Sequence, residues 1–264
     1  MGEPMTISPL LQSLLASLMT WGLTALGAAL VVFTRRTRPV VMDGMLAFGA
    51  GVMLASSYWS LLSPAISLAE DLGQSPFLTA AAGFLCGGLL LMGCDALLAR
   101  LLPERLALTD SRRRSALLIS SITLHNIPEG LAVGVTFGAL SALPTPAALT
   151  GAWMLAVGIG LQNFPEGAAV SLPLRREGMG RGRAFFWGQA SALVEPLSAV
   201  LGCLLAVRVR SILPFALAFA AGAMVVVVIA ELVPESRRSS RPTLMTMATL
   251  LGFTVMMILD VALG

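Results

Sequence analysis

Two six-residue stretches carry most of the chemistry this sequence offers. His125-Asn126-Ile127-Pro128-Glu129-Gly130 and Gln162-Asn163-Phe164-Pro165-Glu166-Gly167 are copies of one pattern, His/Gln-Asn-x-Pro-Glu-Gly. On a helix, residues four apart lie about 40° from each other around the axis and residues three apart about 60°. His125, Asn126 and Glu129 therefore share one face, and Gln162, Asn163 and Glu166 share another. Together they offer one imidazole, three amides and two carboxylates. A further carboxylate stands beside a proline at Glu195-Pro196. Nitrogen and oxygen donors without thiolate suit a borderline or hard divalent metal such as Zn2+, Cd2+, Fe2+ or Mn2+. Two carboxylates shared between two positions suit a pair of ions. Pro128 and Pro165 each remove one intrahelical hydrogen bond, which frees the carbonyls of Leu124 and Leu161 and kinks the helix.

The surroundings of these motifs make the acids expensive. Of 264 residues, 56% are hydrophobic and 12% are charged, about half the charge of an ordinary soluble domain. Too few polar residues remain to cover a water-soluble fold of this size. The same numbers exclude disorder, and three cysteines exclude a disulfide scaffold. The net charge of +3 does not make a nucleic-acid protein, because that needs a basic face on a soluble fold.

Eight stretches are long and apolar enough to cross a bilayer: 9–33, 40–62, 76–102, 115–140, 147–172, 184–207, 211–234 and 243–263. Residues 1–264 form one polytopic domain, and the absence of alternating patterning argues against a barrel. The breaks hold turn-forming sequences at Arg35 to Pro39, Ser63-Pro64, Ser75-Pro76, Leu143 to Pro146 and Ser236 to Pro242. All 17 basic residues are Arg. Fifteen fall in 34–39, 100–114, 174–183 and 235–242, on one side of the eight-span arrangement, leaving only Arg208 and Arg210 on the other. The positive-inside rule then places both termini on the non-cytoplasmic side of a cell (inner) membrane. The first stretch has Glu3 and no basic residue before it, so it reads as a retained helix and not a cleaved signal.

In this frame the motifs fall on the fourth and fifth spans, which run in opposite directions and are joined by a short loop. Two equivalent half-sites can face each other across a pseudo-two-fold axis in the membrane plane, the inverted-repeat arrangement of transporters. Each ionised acid at mid-bilayer costs about 2.5–3.5 kcal/mol, so Glu129, Glu166 and Glu195 together cost about 7–10 kcal/mol if unpaired. No Arg lies in the middle of a span to offset them. Neutral, protonated acids are one escape; a bound cation is the other, and it explains the clustering. Asp95, Glu231 and Asp260 also fall in spans; they either line a path for ions or sit at a headgroup boundary. Met53 is a soft pathway candidate, because Gly49-Ala50-Gly51 and Ser56-Ser57 give its helix a small-residue face. Cys86, Cys94 and Cys203 have no ligand spacing and read as core residues.

At these residues the chain resembles the ZIP (Zrt/Irt-like protein) family of divalent metal transporters, and its bacterial branch in particular. His125 to Gly130 is the most specific element. Glu195-Pro196, Glu231-Leu232-Val233-Pro234-Glu235 and Gly51-Val52-Met53-Leu54-Ala55-Ser56 add to it. The resemblance implies zinc, with cadmium, iron and manganese as alternatives, moving into the cytoplasm through a binuclear site. One ion would be held by His125, Glu129, Gln162, Glu166 and Glu195, and its neighbour by Asn126, Glu129, Asn163 and Glu166 with Glu195. It further implies alternating access by a bundle of spans one, four, five and six, and homodimers as a common state. The sequence departs from the family pattern at Gln162, where many relatives have His, and at Asn163, where some have Asp. It departs also at Ala230, where His is frequent, and at Arg112-Arg113-Arg114 in place of a His-rich tract.

Two other functions compete. An intramembrane metal-dependent enzyme needs an activated water on an open metal position. The His-Glu-x-x-His signal is absent, and His125 is the single His. A metal sensor would bind ions without moving them. A duplicated site fits permeation better than one-sided catalysis.

Overall fold

The computed structural model describes residues 7–33, 39–106, 110–141, 145–176 and 178–263, with the side chains at 39, 98–99, 101–118, 121, 125, 176, 210, 235 and 263 left out. Arg35, Arg36, Arg38, Leu143 and Pro144 thus lie outside the described residues, as do the side chains of Arg105 and Arg112 to Arg114.

Every element is helical, with no strand among the described residues. Helix α1 covers Pro9–Phe33, α2 Pro39–Ser56, α3 Ser63–Asp71, α4 Pro76–Leu106, α5 Asp110–Ala139 and α6 Pro146–Arg176. Then follow α7 Arg181–Ala190, α8 Val194–Arg208, α9 Leu213–Val227, α10 Val233–Arg237 and α11 Pro242–Leu263. Among the described residues, seven helical segments are long and apolar enough to cross a membrane. The expected span 115–140 lies in α5, where the side chains at 115–118, 121 and 125 are outside the described residues.

Local chemistry accounts for the ends. Pro39, Pro76, Pro146 and Pro242 each occupy a first helical position, where a missing N–H is no loss. Thr145 caps α6, its Oγ1 accepting from the Ala148 N–H at 3.1 Å. Gly73, at φ 66°, supplies the left-handed turn between α3 and α4. One expected break is absent. Ser63-Pro64 does not end the second span: the helix passes through a π-helical stretch, Ser57–Leu62, and continues as α3 to Asp71. The wider π turn lets Pro64 enter the first turn of the next helical segment, where its missing donor is tolerated. A second π stretch, Val228–Leu232, joins α9 to α10 two residues before Pro234.

A break appears where none was expected. The span 184–207 is divided at Ser191 to Leu193 into α7 and α8. Pro196 cannot donate to Ala192, so the helix restarts just before it, and Pro196 sits in the first turn of α8. Cys203 is buried, but Cys86 is exposed on α4 and so is not a core residue.

The most extensive helix contacts are α1 with α6, α5 with α8, α2 with α11, and α4 with α9. Each pair approaches closely through glycine on both or one of its members. A methyl group at Gly27 would overlap the Phe164 carbonyl, and one at Gly167 the Thr24 carbonyl. Gly130, Gly134 and Gly138 face the backbone of α8 at Glu195, Ala199 and Cys203, while Gly202 faces Leu131. Gly51 meets Thr249 and Gly252 meets Phe48; Gly87 meets Phe219 and Gly222 meets Phe84. Lipid offers helices no hydrophobic reason to associate, so this backbone proximity and its dispersion contacts hold the pairs together.

A Cβ added at such a contact forces the backbones apart, which costs about 1–3 kcal/mol. Gly222→Ala is expected to lower the apparent melting temperature of the detergent-purified protein by several degrees. Gly22→Ala, where nothing lies within 4 Å, is expected to leave it unchanged. Equal melting of the two variants would refute the packing argument.

Candidate metal centre

The two motifs sit mid-helix in α5 and α6, with Pro128 and Pro165 inside helices that run on past them. Asn126, Glu129, Gln162, Asn163, Glu166 and Glu195 are all buried. The His125 backbone belongs to α5 one position before Asn126, and its side chain lies outside the described residues. Glu129, Glu166 and Glu195 are near enough for their charges to act on one another. The three carboxylates come from three helices, α5, α6 and α8.

Glu195 owes its position to the break in the sixth span. It stands in the first turn of α8, where the positive end of the helix dipole favours a negative charge by about 0.3–1 kcal/mol. The turn also exposes the Ser191 carbonyl, which accepts from Asn126 Nδ2 at 3.1 Å. A similar bond joins Asn163 Nδ2 to the carbonyl of Thr20 on α1 at 3.4 Å.

Amide groups hold the carboxylates. Gln162 Nε2 donates to Glu129 Oε1 at 2.7 Å. Asn163 Nδ2 reaches both oxygens of Glu195, at 2.9 and 3.0 Å. Thr20 Oγ1 donates to Glu195 Oε2. An amide that donates through nitrogen turns its oxygen elsewhere, and those oxygens are informative. Asn126 Oδ1, Glu129 Oε2, Gln162 Oε1 and Asn163 Oδ1 are buried with no hydrogen-bond partner among the described residues. At least 90% of buried polar groups in proteins are satisfied, so four such oxygens on four neighbouring residues need an explanation. A divalent cation is one chemical species that satisfies them. Among the described residues no three His, Cys, Asp or Glu side chains gather tightly enough to hold an ion by themselves.

The outlying candidates lie on other elements. Met53 is fully buried in the main apolar core. The second span instead approaches the site through Gly49, which backs onto Gln162. Asp95 is half-buried on α4, and Glu231 is half-buried in the π stretch after α9. Asp260 on α11 accepts from Ser60 Oγ at 2.7 Å. With Asp71, Trp59 and Thr136 it lines a cavity of about 670 Å³ between α3, α5, α6, α9 and α11. The sequence reading overlooked Thr20. Its signal was present: Ser13, Ser17, Thr20 and Thr24 recur at helical spacing on the first span, and all four are buried.

Fold and site first define a class: a multi-pass, all-helical membrane protein with a carboxylate and amide cluster enclosed in its bundle. The family model described as ZIP Zinc transporter matches residues 104–260. Zinc transporter ZIP11 of Xenopus tropicalis is 40% identical, covering 97% of this chain and 98% of the relative. Zinc transporter GufA of Myxococcus xanthus is 37% identical over 95% and 98% of the two chains. Zinc transporter ZIPB of Bordetella bronchiseptica is 37% identical over 91% and 78%. The chain belongs to the ZIP zinc transporter family. That is a family of transporters, which sets aside the enzyme alternative.

Three buried carboxylates repel one another and are poorly solvated. Glu129→Gln keeps the shape and the Gln162 contact while removing one charge. In chelator-treated protein it is expected to raise the apparent melting temperature by about 2–4 °C, the size of a 1 kcal/mol gain in a chain of this length. A lower melting temperature would show that the charge itself stabilises the empty site.

Proposed function

We propose that the protein carries zinc across a cell (inner) membrane into the cytoplasm, through a two-ion site shared by α5, α6 and α8. The observation that carries this reading is the cluster of unsatisfied oxygens on Asn126, Glu129, Gln162 and Asn163 beside three carboxylates. Family membership and the names of its relatives agree with zinc as cargo. Cadmium, iron and manganese have compatible donor preferences. His125, Glu129, Gln162, Glu166 and Glu195 would hold one ion. Asn126, Glu129, Asn163 and Glu166, with Glu195, would hold the other.

An ion arriving at the cluster competes with the amide N–H donors for the same carboxylate oxygens. If Gln162 and Asn163 rotate, they replace a donated hydrogen bond with a coordinating oxygen, so the acids exchange one neutralising partner for another. The prolines contribute the carbonyls of Leu124 and Leu161 and a bend in each helix. Divalent ions bound this way leave when the amides return.

Eight spans with both termini outside and an inverted repeat complete the proposed architecture. Several recurrences support the repeat. Thr20 and Ser191, Thr24 and Glu195, Phe48 and Phe219, Gly51 and Gly222, and Met53 and Met224 are separated by one and the same sequence offset. These positions occupy matching packing roles. Gly167 meets α1 at Thr24 as Gly130 meets α8 at Glu195, and Gly252 meets Phe48 as Gly87 meets Phe219. The two π stretches start at matching positions, Ser57 and Val228, and each ends two residues before a proline, Pro64 and Pro234. Alternating access by α1, α5, α6, α7 and α8 moving against the remaining helices follows from this arrangement, and a homodimer is compatible with it. Met53, Asp95, Glu231 and Asp260 stand as pathway candidates.

Proteoliposomes loaded with a zinc-sensitive dye test the proposal. Zinc flux is expected in wild type and to fall at least 100-fold in Glu129→Ala and in Glu166→Ala, with insertion unchanged. Undiminished flux in both variants would refute the site. A panel of zinc, cadmium, iron and manganese with Gln162→His is expected to change the order of preference, because an imidazole replaces an amide oxygen.

A further inference from the structure

We infer that Thr20, on a helix that contributes no proposed ligand, positions Glu195 for ion binding; this rests on the site proposed above. The fifth and fourth spans supply matching carboxylates at Glu166 and Glu129, but the third acid has no acidic counterpart. The residue of α1 that corresponds to Glu195 is Thr24, which hydrogen-bonds its own helix at the Thr20 carbonyl, 3.3 Å away. The site is therefore lopsided, and α1 faces it with hydroxyls where α8 presents a carboxylate.

Thr20 is the hydroxyl that reaches across. It is fully buried, and its Oγ1 donates to Glu195 Oε2. The same hydroxyl lies 3.0 Å from the Ser17 carbonyl in its own helix. Its proton thus has a second acceptor whenever Glu195 turns toward a cation, so no buried donor is stranded by that movement. The Thr20 carbonyl meanwhile accepts from Asn163 Nδ2, and Asn163 also holds both Glu195 oxygens. One residue of α1 consequently contacts the carboxylate through its side chain and the neighbouring amide through its backbone. Gly27 against Phe164 and Gly167 against Thr24 fix the register of α1 on α6, which keeps these contacts aligned.

Groups that hydrogen-bond a ligating carboxylate fix its orientation, and removing them typically lowers metal affinity about 10–100-fold. Thr20 meets that description, and the sequence alone gives it no metal-binding chemistry. Its effect passes through Glu195, which distinguishes it from a packing residue.

The test is equilibrium zinc binding to purified, detergent-solubilised full-length protein, measured calorimetrically in wild type and a set of variants. Thr20→Val replaces the hydroxyl with a methyl of similar size and is expected to weaken binding about 10–100-fold. Thr20→Ser is expected to bind within about threefold of wild type, since it keeps the donor. In a Glu195→Gln background, Thr20→Val is expected to have no further effect, because the two changes remove one interaction. Unchanged affinity in Thr20→Val overturns the inference. So does an equal loss with and without Glu195→Gln, which would mark Thr20 as structural. If Thr20→Val does not fold, Thr20→Ala removes the same hydroxyl and is judged by the same outcomes. Glu129→Gln separates the two levels: if it binds zinc like wild type, the site itself fails, whereas loss there with a silent Thr20→Val overturns only the role of Thr20.

Discussion

Three carboxylates enclosed among apolar helices set the terms for this structure. Each must be satisfied by something other than bulk water, and the sequence places no arginine or lysine in the middle of a span. The structure responds with neutral donors. Gln162 holds Glu129, Asn163 and Thr20 hold Glu195, and the first turn of α8 lends its backbone field to the same carboxylate. Neutral donors suit a site of this kind. A buried arginine would bind a carboxylate tightly and exclude a second cation by repulsion. An amide binds more weakly and carries its own replacement ligand on the same carbon.

The helices are arranged to keep this cluster enclosed. Glycine on the inner faces of α1, α5, α6 and α8 lets backbones approach where side chains would otherwise separate them. Close approach leaves little space around the acids, so their geometry depends on helix register as much as on rotamers. Prolines act at the same level. Pro128 and Pro165 free carbonyls within the site helices, and Pro196 restarts a helix so that Glu195 falls in its first turn.

Much of this was legible from the residues. Hydropathy located the helices almost to the residue at Pro9, Pro76 and Pro242. The duplicated motif located the cluster, because helical spacing alone puts Asn126 with Glu129 and Gln162 with Glu166. Three features were not legible, each for a physical reason. Ser63-Pro64 looked like a stop, but a π turn accommodates a proline that an α-helix would not. The sixth span looked continuous because composition is blind to a three-residue turn. Thr20 looked like an ordinary apolar-helix threonine, since its role depends on a partner far along the chain. Asp260 was visible as an acid in a span, but its partner Ser60 and the cavity it lines are tertiary features that composition does not carry.

The reciprocal glycine contacts have a mechanical consequence. Where two backbones touch at a glycine, one helix cannot slide along the other without driving the next Cβ into a carbonyl; the next permissive register lies a helical turn of about 5.4 Å away. The contacts between α1 and α6 and between α5 and α8 therefore behave as meshed gears locked at one tooth. Rearrangement is confined to the looser seams between such pairs. The pair, and not the single helix, is then the unit that resists sliding.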